Sequence, residues 1–267
     1  MSTTLKEFYQ KPFVKETIIL ILNSIMAGFV LSMAAIASIF APVWLETRIL
    51  KSFIFSFGLL VIILFEMKLF TGMVANAAYT PPKKWWTLAV CLLFNALGCF
   101  VGAEIAKGAF GKEFITKAAK TFADKIVVDH VLELRGGIYH ISGSANISAG
   151  AMFLSALLCG MCITIAILGC RAAKAKNFSA TFFVVLPIMV FVLCGFEHSV
   201  ANIIYVFMGN VYWNSQVWLL ITMSVLGNVV GGVIIPVYKL VEGKKYLAAP
   251  VAAHSNPEVT SPQEDKK

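Results

Sequence analysis

Charge is scarce in this chain. Of 267 residues, 22 are Lys or Arg and 14 are Asp or Glu, so only 13% are charged, where a soluble domain carries about 25%. The apolar residues make up 59% of the chain and come in long blocks, not in alternating or helical stripes. Together these features exclude a soluble all-α domain. Histidine is also rare. There are four, and only His198 falls inside an apolar block. No partner ligands cluster around it, so no metal site is expected. Neither do the blocks hold the nucleophile–base constellation of a membrane-embedded enzyme. The six cysteines (91, 99, 159, 162, 170 and 194) lie in or beside apolar blocks and read as small packing residues. The Cys159–Cys162 spacing matches a redox pair but lacks the soluble αβ context such a pair needs.

What the chain does have is span length. A bilayer core about 30 Å thick takes roughly 20 apolar residues per helix. Six segments qualify: 17–41, 52–79, 85–107, 147–170, 179–208 and 214–238. The opening stretch MSTTLKEFYQKPFVKE is too polar for a signal peptide, and the first apolar block is a full span, so no cleavable leader is expected. The net charge of +8 sits at segment ends, where it sets topology, and predicts no nucleic-acid partner. The N-terminus, the 80–84 and 171–178 loops and the C-terminus hold 13 of the 22 basic residues. Six spans then place both termini in the cytoplasm, with the plasma membrane as the expected host.

The expected class is therefore an all-α membrane protein with a single pore domain over 1–241 and a disordered polar tail over 242–267. A mixed-charge stretch, 108–146, joins the third and fourth spans. Its AAKTFADKIVVDHVLEL run predicts a short amphipathic helix on the membrane surface, followed by a Gly/Ser-rich run. Asn146 and Asn177 each open a glycosylation-like triplet, which carries little weight at that length.

The second and fifth segments are too long for simple spans, and each has polar residues in its middle. They also repeat: Phe70-Thr71-Gly72-Met73-Val74-Ala75-Asn76 through Tyr79 and Phe196-Glu197-His198-Ser199-Val200-Ala201-Asn202 through Tyr205 share the pattern F-x-x-x-V-A-N-x-x-Y. Gly28 in the first segment is matched by Gly160 in the fourth. The third and sixth carry Gly98-x-x-x-Gly102 and Gly227-x-x-x-Gly231, small faces that let helices approach closely. The chain thus reads as two three-span units, about 15–107 and 147–241, joined by 108–146. Three is odd, so the units are inverted, with helices 2 and 5 broken near the midplane where such proteins hold their substrate.

Ionisable residues inside spans cost about 2.5–3.5 kcal/mol each on insertion scales. The broken segments carry Glu66, Lys68, Glu197 and His198. Histidine exchanges a proton near neutral pH, so His198 is suited to a weak acid, whose charge it can remove, or to an anion, which it can hold. Thr71 stands at the other break and donates a hydrogen bond without charge. Glu197 is expected to pair with backbone N–H groups or another helix. The repeated asparagines Asn76 and Asn202 lack the proline of the Asn-Pro-Ala caps of neutral-solute pores, which argues against that class.

Three motifs resemble the formate/nitrite transporter family. Gly195-Phe196-Glu197-His198-Ser199-Val200-Ala201-Asn202 is similar to its fifth-helix signature, Leu69-Phe70-Thr71-Gly72 to its second-helix loop, and Leu226-Gly227-Asn228-Val229-Val230-Gly231-Gly232 to its sixth helix. The resemblance covers about 15–241. It implies an aquaporin-like fold, a homopentamer in the lipid bilayer with one pore per protomer, and no cofactor. It implies transport of formate first, then nitrite, hydrosulfide, acetate or lactate. His198 becomes the central pore histidine and Thr71 the threonine facing it. Leu59 with Leu69, and Phe55 with Phe191, become the two constrictions, and Glu197, Asn202 and Asn76 the structural support. Two departures stand out. Lys68, with Glu66 two residues earlier, replaces the usual acid before Leu-Phe-Thr, and is expected to draw anions toward His198. Gly160 replaces the fourth-helix asparagine, and the vestibule lysine is expected to be missing, with Ser144 near its place.

Overall fold

The computed structural model describes residues 11–40, 48–145, 147–175 and 179–243. Asn146, Asn177 and nearly all of the expected tail lie outside these residues. The elements run α1 (Pro12–Phe40), α2 (Arg48–Leu64), α3 (Phe70–Val74), 3-10 turns at Ala77–Tyr79 and Pro82–Lys84, α4 (Trp86–Ile126), β1 (Val127–Arg135), β2 (Ile138–Ala145), α5 (Ala149–Ala175), α6 (Ala180–Leu193), α7 (Ser199–Met208) and α8 (Ser215–Val241). Among the described residues, α1, α4, α5 and α8 are long and apolar enough to cross a membrane. The two over-long segments become broken pairs, α2/α3 and α6/α7.

Packing follows the small residues. Helix α1 lies on α4, α5 on α8, and α2 on α6. A methyl group on Gly28 would land on the Asn95 carbonyl oxygen of α4, and one on Gly98 on the Ile25 carbonyl of α1. The α5–α8 seam repeats this, with Gly160 against Asn228 and Gly231 against Leu157. Lipid tails are as apolar as leucine, so these seams depend on close contact and not on hydrophobic burial. Large apolar side chains such as Leu22, Phe57, Leu93 and Leu154 remain exposed on the outside, as a lipid-facing surface requires.

The 108–146 stretch departs from expectation twice. Helix α4 does not stop after its span. It kinks at Gly111 (φ +67°) and continues to Ile126, so the amphipathic helix ends eight residues short of Leu134. Its apolar face, Phe114, Ala118, Phe122 and Ile126, is buried in the protein, and its polar face lines a large open chamber. The chain then turns into a two-stranded antiparallel hairpin, so the class is helical with a small sheet, not all-α. The physical reason is legible. Val131, Glu133 and Arg135 alternate with Leu132 and Leu134, a period of two that fits a strand and not a helix. Gly136 and Gly137 (φ +58° and +83°) supply the left-handed pair of a two-residue hairpin turn. The hairpin is tied down where the Tyr139 N–H donates to Asn210 O and the Tyr212 N–H to Tyr139 O, both at 2.9 Å.

Candidate functional site

Both broken helices end the same way. At the end of α2 the Met67 N–H donates back to Ile62 O, with Glu66 in the left-handed region (φ +54°). At the end of α6 the Phe196 N–H donates to Phe191 O, with Gly195 there (φ +69°). These are Schellman-type caps. Helix α3 then restarts after Leu69 and α7 after His198. Structurally equivalent positions in the two breaks are therefore Glu66 and Gly195, Leu69 and His198, Phe70 and Ser199. The repeated F-x-x-x-V-A-N-x-x-Y strings are three residues out of this register. They fall on different turns of the two short helices.

Two asparagines hold the breaks open. The Phe70 N–H donates to Asn95 Oδ1 at 2.7 Å, while Asn95 Nδ2 donates to Ser24 O and Lys68 O at 2.8 and 2.9 Å. In the other half the Ser199 N–H donates to Asn228 Oδ1 at 2.9 Å, and Asn228 Nδ2 donates to Ala156 O and Glu197 O at 2.8 and 2.9 Å. Each carboxamide thus satisfies backbone groups that a broken helix leaves without partners in an apolar medium. Sequence reasoning missed this role. The available signal was an amide inside an apolar span, within three residues of a glycine, in both the third and sixth segments.

The short helices present their first turns to each other. Thr71 Oγ1 lies 3.2 Å from His198 Nε2, and both residues are 1% exposed. His198 Nδ1 accepts the Ala201 N–H at 3.0 Å as the N-cap of α7. That bond occupies the Nδ1 lone pair, so the neutral ring carries its proton on Nε2 and donates it to the threonine oxygen. The two residues expected at the two breaks do meet.

Around them the expected residues fall into place unevenly. The His198 ring stacks on Phe191 at 5.7 Å, and Phe191 meets Phe55 edge-on at 6.1 Å. Leu59 and Leu69 are buried, at 1% and 4% exposed. Lys68 is exposed, with its carbonyl held by Asn95, and does not line the chamber that reaches His198. Asn76 Oδ1 accepts from Arg171 at 2.7 Å, which ties the end of the α3 region to α5.

Glu197 pairs as expected with another helix. Its Oε2 accepts from Lys125 Nζ at 3.0 Å and from Asn202 Nδ2 at 2.8 Å, and Asn202 also reaches Ser224 Oγ at 3.0 Å. Lys125, which the sequence reading did not single out, thus sets a cation beside Glu197 in the wall of the cavity that reaches His198. The cation comes not from near Ser144, which lies on β2, but from the last turn of α4, before the hairpin. Gly160 is also accounted for. Its close approach to Asn228 leaves no room for a side chain, and the amide that reaches the break comes from α8 instead.

His198 forms the inner end of a chamber of about 940 Å³, reached past Phe55 and Phe191 and walled by α2, the α4 continuation and the α6/α7 break. Along α4, Lys117, Lys120, Thr121, Asp124 and Lys125 recur at helical spacing and turn one polar face into it. Among the described residues no three His, Cys, Asp or Glu side chains come together as a metal site.

Residues 4–240 match the family described as formate/nitrite transporter. A probable formate transporter of Methanothermobacter thermautotrophicus is 27% identical over 200 residues, which is 68% of this chain and 69% of that relative. A pentameric formate channel solved with formate bound superposes with a TM-score of 0.64 at 19% identity, covering 86% of this chain and 98% of the other. An ion channel described as a member of the FNT family gives 0.64 at 17% identity, covering 84% and 89%. At these identities the two structures speak for the fold, and the match over nearly the whole chain speaks for descent: the chain belongs to the formate/nitrite transporter family.

Proposed function

We propose that this protein carries small monovalent anions or their weak acids across the plasma membrane, formate first, through one pore in each protomer of a homopentamer. The six spans form two inverted three-helix units, about 15–107 and 147–241, with both termini cytoplasmic. The Asn95 and Asn228 clamps, one per half, support that symmetry. The relatives that transport or bind formate support the substrate.

The single observation that carries the reading is the Thr71–His198 contact at the end of a chamber with basic walls. Lys125 stands beside Glu197 next to that contact. An anion arriving there finds the His198 Nε2–H and the Thr71 hydroxyl, two donors able to replace part of its water shell. The positive end of the α7 backbone adds to them. The histidine acts here chiefly as a hydrogen-bond donor to the passing anion, because a proton on Nδ1 would displace the Ala201 N–H from its acceptor. Phe55 and Phe191 form the outer constriction and Leu59 and Leu69 the inner one, so the anion sheds water in stages. Lys68 lies on the side of the break away from the chamber and biases the far mouth toward anions.

A flux assay in proteoliposomes tests this, with formate, nitrite, hydrosulfide, acetate and lactate at about pH 5.5 and about pH 7.5, either side of the ordinary histidine range. Formate flux that rises with acid, exceeds that of the larger acids and is lost in His198→Phe is the expected result. Flux indifferent to both acid and the substitution would overturn the proposal.

A further inference from the structure

The chamber holds more positive charge than its pairs consume. Five cations line it, Arg48, Lys51, Lys117, Lys120 and Lys125, against two carboxylates, Asp124 and Glu197. Lys125 is taken by Glu197 and Lys117 by Glu113. Among the described residues, Arg48, Lys51 and Lys120 enter no ion pair, and the carboxylate left over, Asp124, lies 3.6 Å from His130 Nδ1. Among the described residues, three free cations less one carboxylate leave an excess of two charges.

Size adds an independent argument. The chamber, at about 940 Å³, falls within the range of pockets that hold drug-sized molecules, about 300–1,000 Å³. A one-carbon anion needs a small part of that. Toward His198 it narrows between Phe55 and Phe191, whose rings meet edge-on at 6.1 Å. Wide, doubly cationic and narrowed by aromatic rings toward His198, the chamber is built to retain an anion that is larger and more highly charged than the one that passes.

We propose that the chamber is a second anion site, which takes a compact multivalent oxyanion such as a tricarboxylate or phosphate on Arg48, Lys51 and Lys120 and so occludes the path to His198. The occlusion rests on the transport reading above; the binding does not. In the protein, such a site makes flux of the small anion sensitive to multivalent anions on the chamber side of the membrane.

The test uses citrate as the probe. Calorimetric titration of the full chain in detergent is expected to show citrate binding beyond that of chloride at matched ionic strength. Lys51→Gln with Lys120→Gln, both at exposed positions, is expected to weaken binding by about tenfold, the loss of two charge-assisted contacts at screened sites. Lys51→Arg with Lys120→Arg is expected to keep it. In proteoliposomes citrate is expected to inhibit formate flux with the same order among variants, each scaled to its own uninhibited rate. Absence of citrate binding, or equal binding in the Gln and Arg pairs, overturns the site. Citrate binding in a protein that moves no formate supports the site and overturns the transport reading instead.

Discussion

Asn95 and Asn228 do the same work on opposite sides of the pore. Each accepts the first free N–H of a short helix, Phe70 or Ser199, and each donates to a carbonyl inside the break and to one on the neighbouring long helix. The two breaks are thereby pinned to the α1–α4 and α5–α8 pairs, the rigid part of the fold. Thr71 and His198 are held 3.2 Å apart because the turns that carry them are anchored from behind.

Removing one of these amides is expected to cost stability first and transport as a consequence. Asn228→Leu leaves the Ser199 N–H and the Glu197 carbonyl without their partner, while the Ala156 carbonyl keeps its helical bond, and each buried orphan costs about 1–3 kcal/mol. A marked drop in thermal unfolding temperature in detergent is the expected outcome. An unchanged transition would mean that the break is held by something else.

The left-handed residues at the two breaks make an opposite pair of predictions. Gly195 fits its φ of +69°, whereas Glu66 sits at +54° with a side chain that disfavours it. Glu66→Gly is expected to stabilise the fold by up to about 1 kcal/mol, and Gly195→Ala to destabilise it by about 1–2 kcal/mol. Paired thermal melts of the two variants read this directly. Equal shifts of the same sign would show that conformation at the caps is not what limits stability there.

Much of this architecture was written in the hydropathy. The long spans stand out by length, and the two breaks by Thr71 and His198 placed inside segments longer than a bilayer needs. The register of the repeat was not legible. The V-A-N strings align by sequence, but the restart of each short helix is set by Schellman caps and by an asparagine more than twenty residues away, which no local pattern reports. Lys125 was missed for a similar reason. The hairpin inserted after it separates it in sequence from the helix where a lysine was sought, while the kink at Gly111 carries it back to Glu197. The hairpin itself had a readable signal, Gly136-Gly137 flanked by alternation, outweighed by the helical run before it.

The Lys125–Glu197 pair is expected to behave as a buried ion pair. The carboxylate side chain is 3% exposed and the lysine 23%. Breaking a buried pair from one side costs about 3–5 kcal/mol because a charge is left unmatched, and Lys125→Met falls at the low end, because the lysine keeps some water. Lys125→Met with Glu197→Gln is expected to recover most of that loss. The coupling from a double-mutant cycle on thermal or denaturant unfolding checks it. Additive single effects would show that the two side chains do not depend on one another.

His198 has two jobs that substitutions can separate. Through Nδ1 it caps α7 at the Ala201 N–H, and through Nε2 it meets Thr71. Asparagine is a good N-cap, so His198→Asn keeps an acceptor for the helix, while its shorter amide N–H no longer reaches the place of Nε2 beside Thr71. Phenylalanine loses both, and loss of a cap costs about 0.5–2 kcal/mol. The expected outcome is therefore a split. His198→Asn melts close to the unaltered protein yet loses most formate flux, while His198→Phe is both less stable and inactive. If His198→Asn transported formate at the unaltered rate, the ring would be a cap and nothing more, and selection of the anion would have to rest on Thr71 and the basic walls of the chamber.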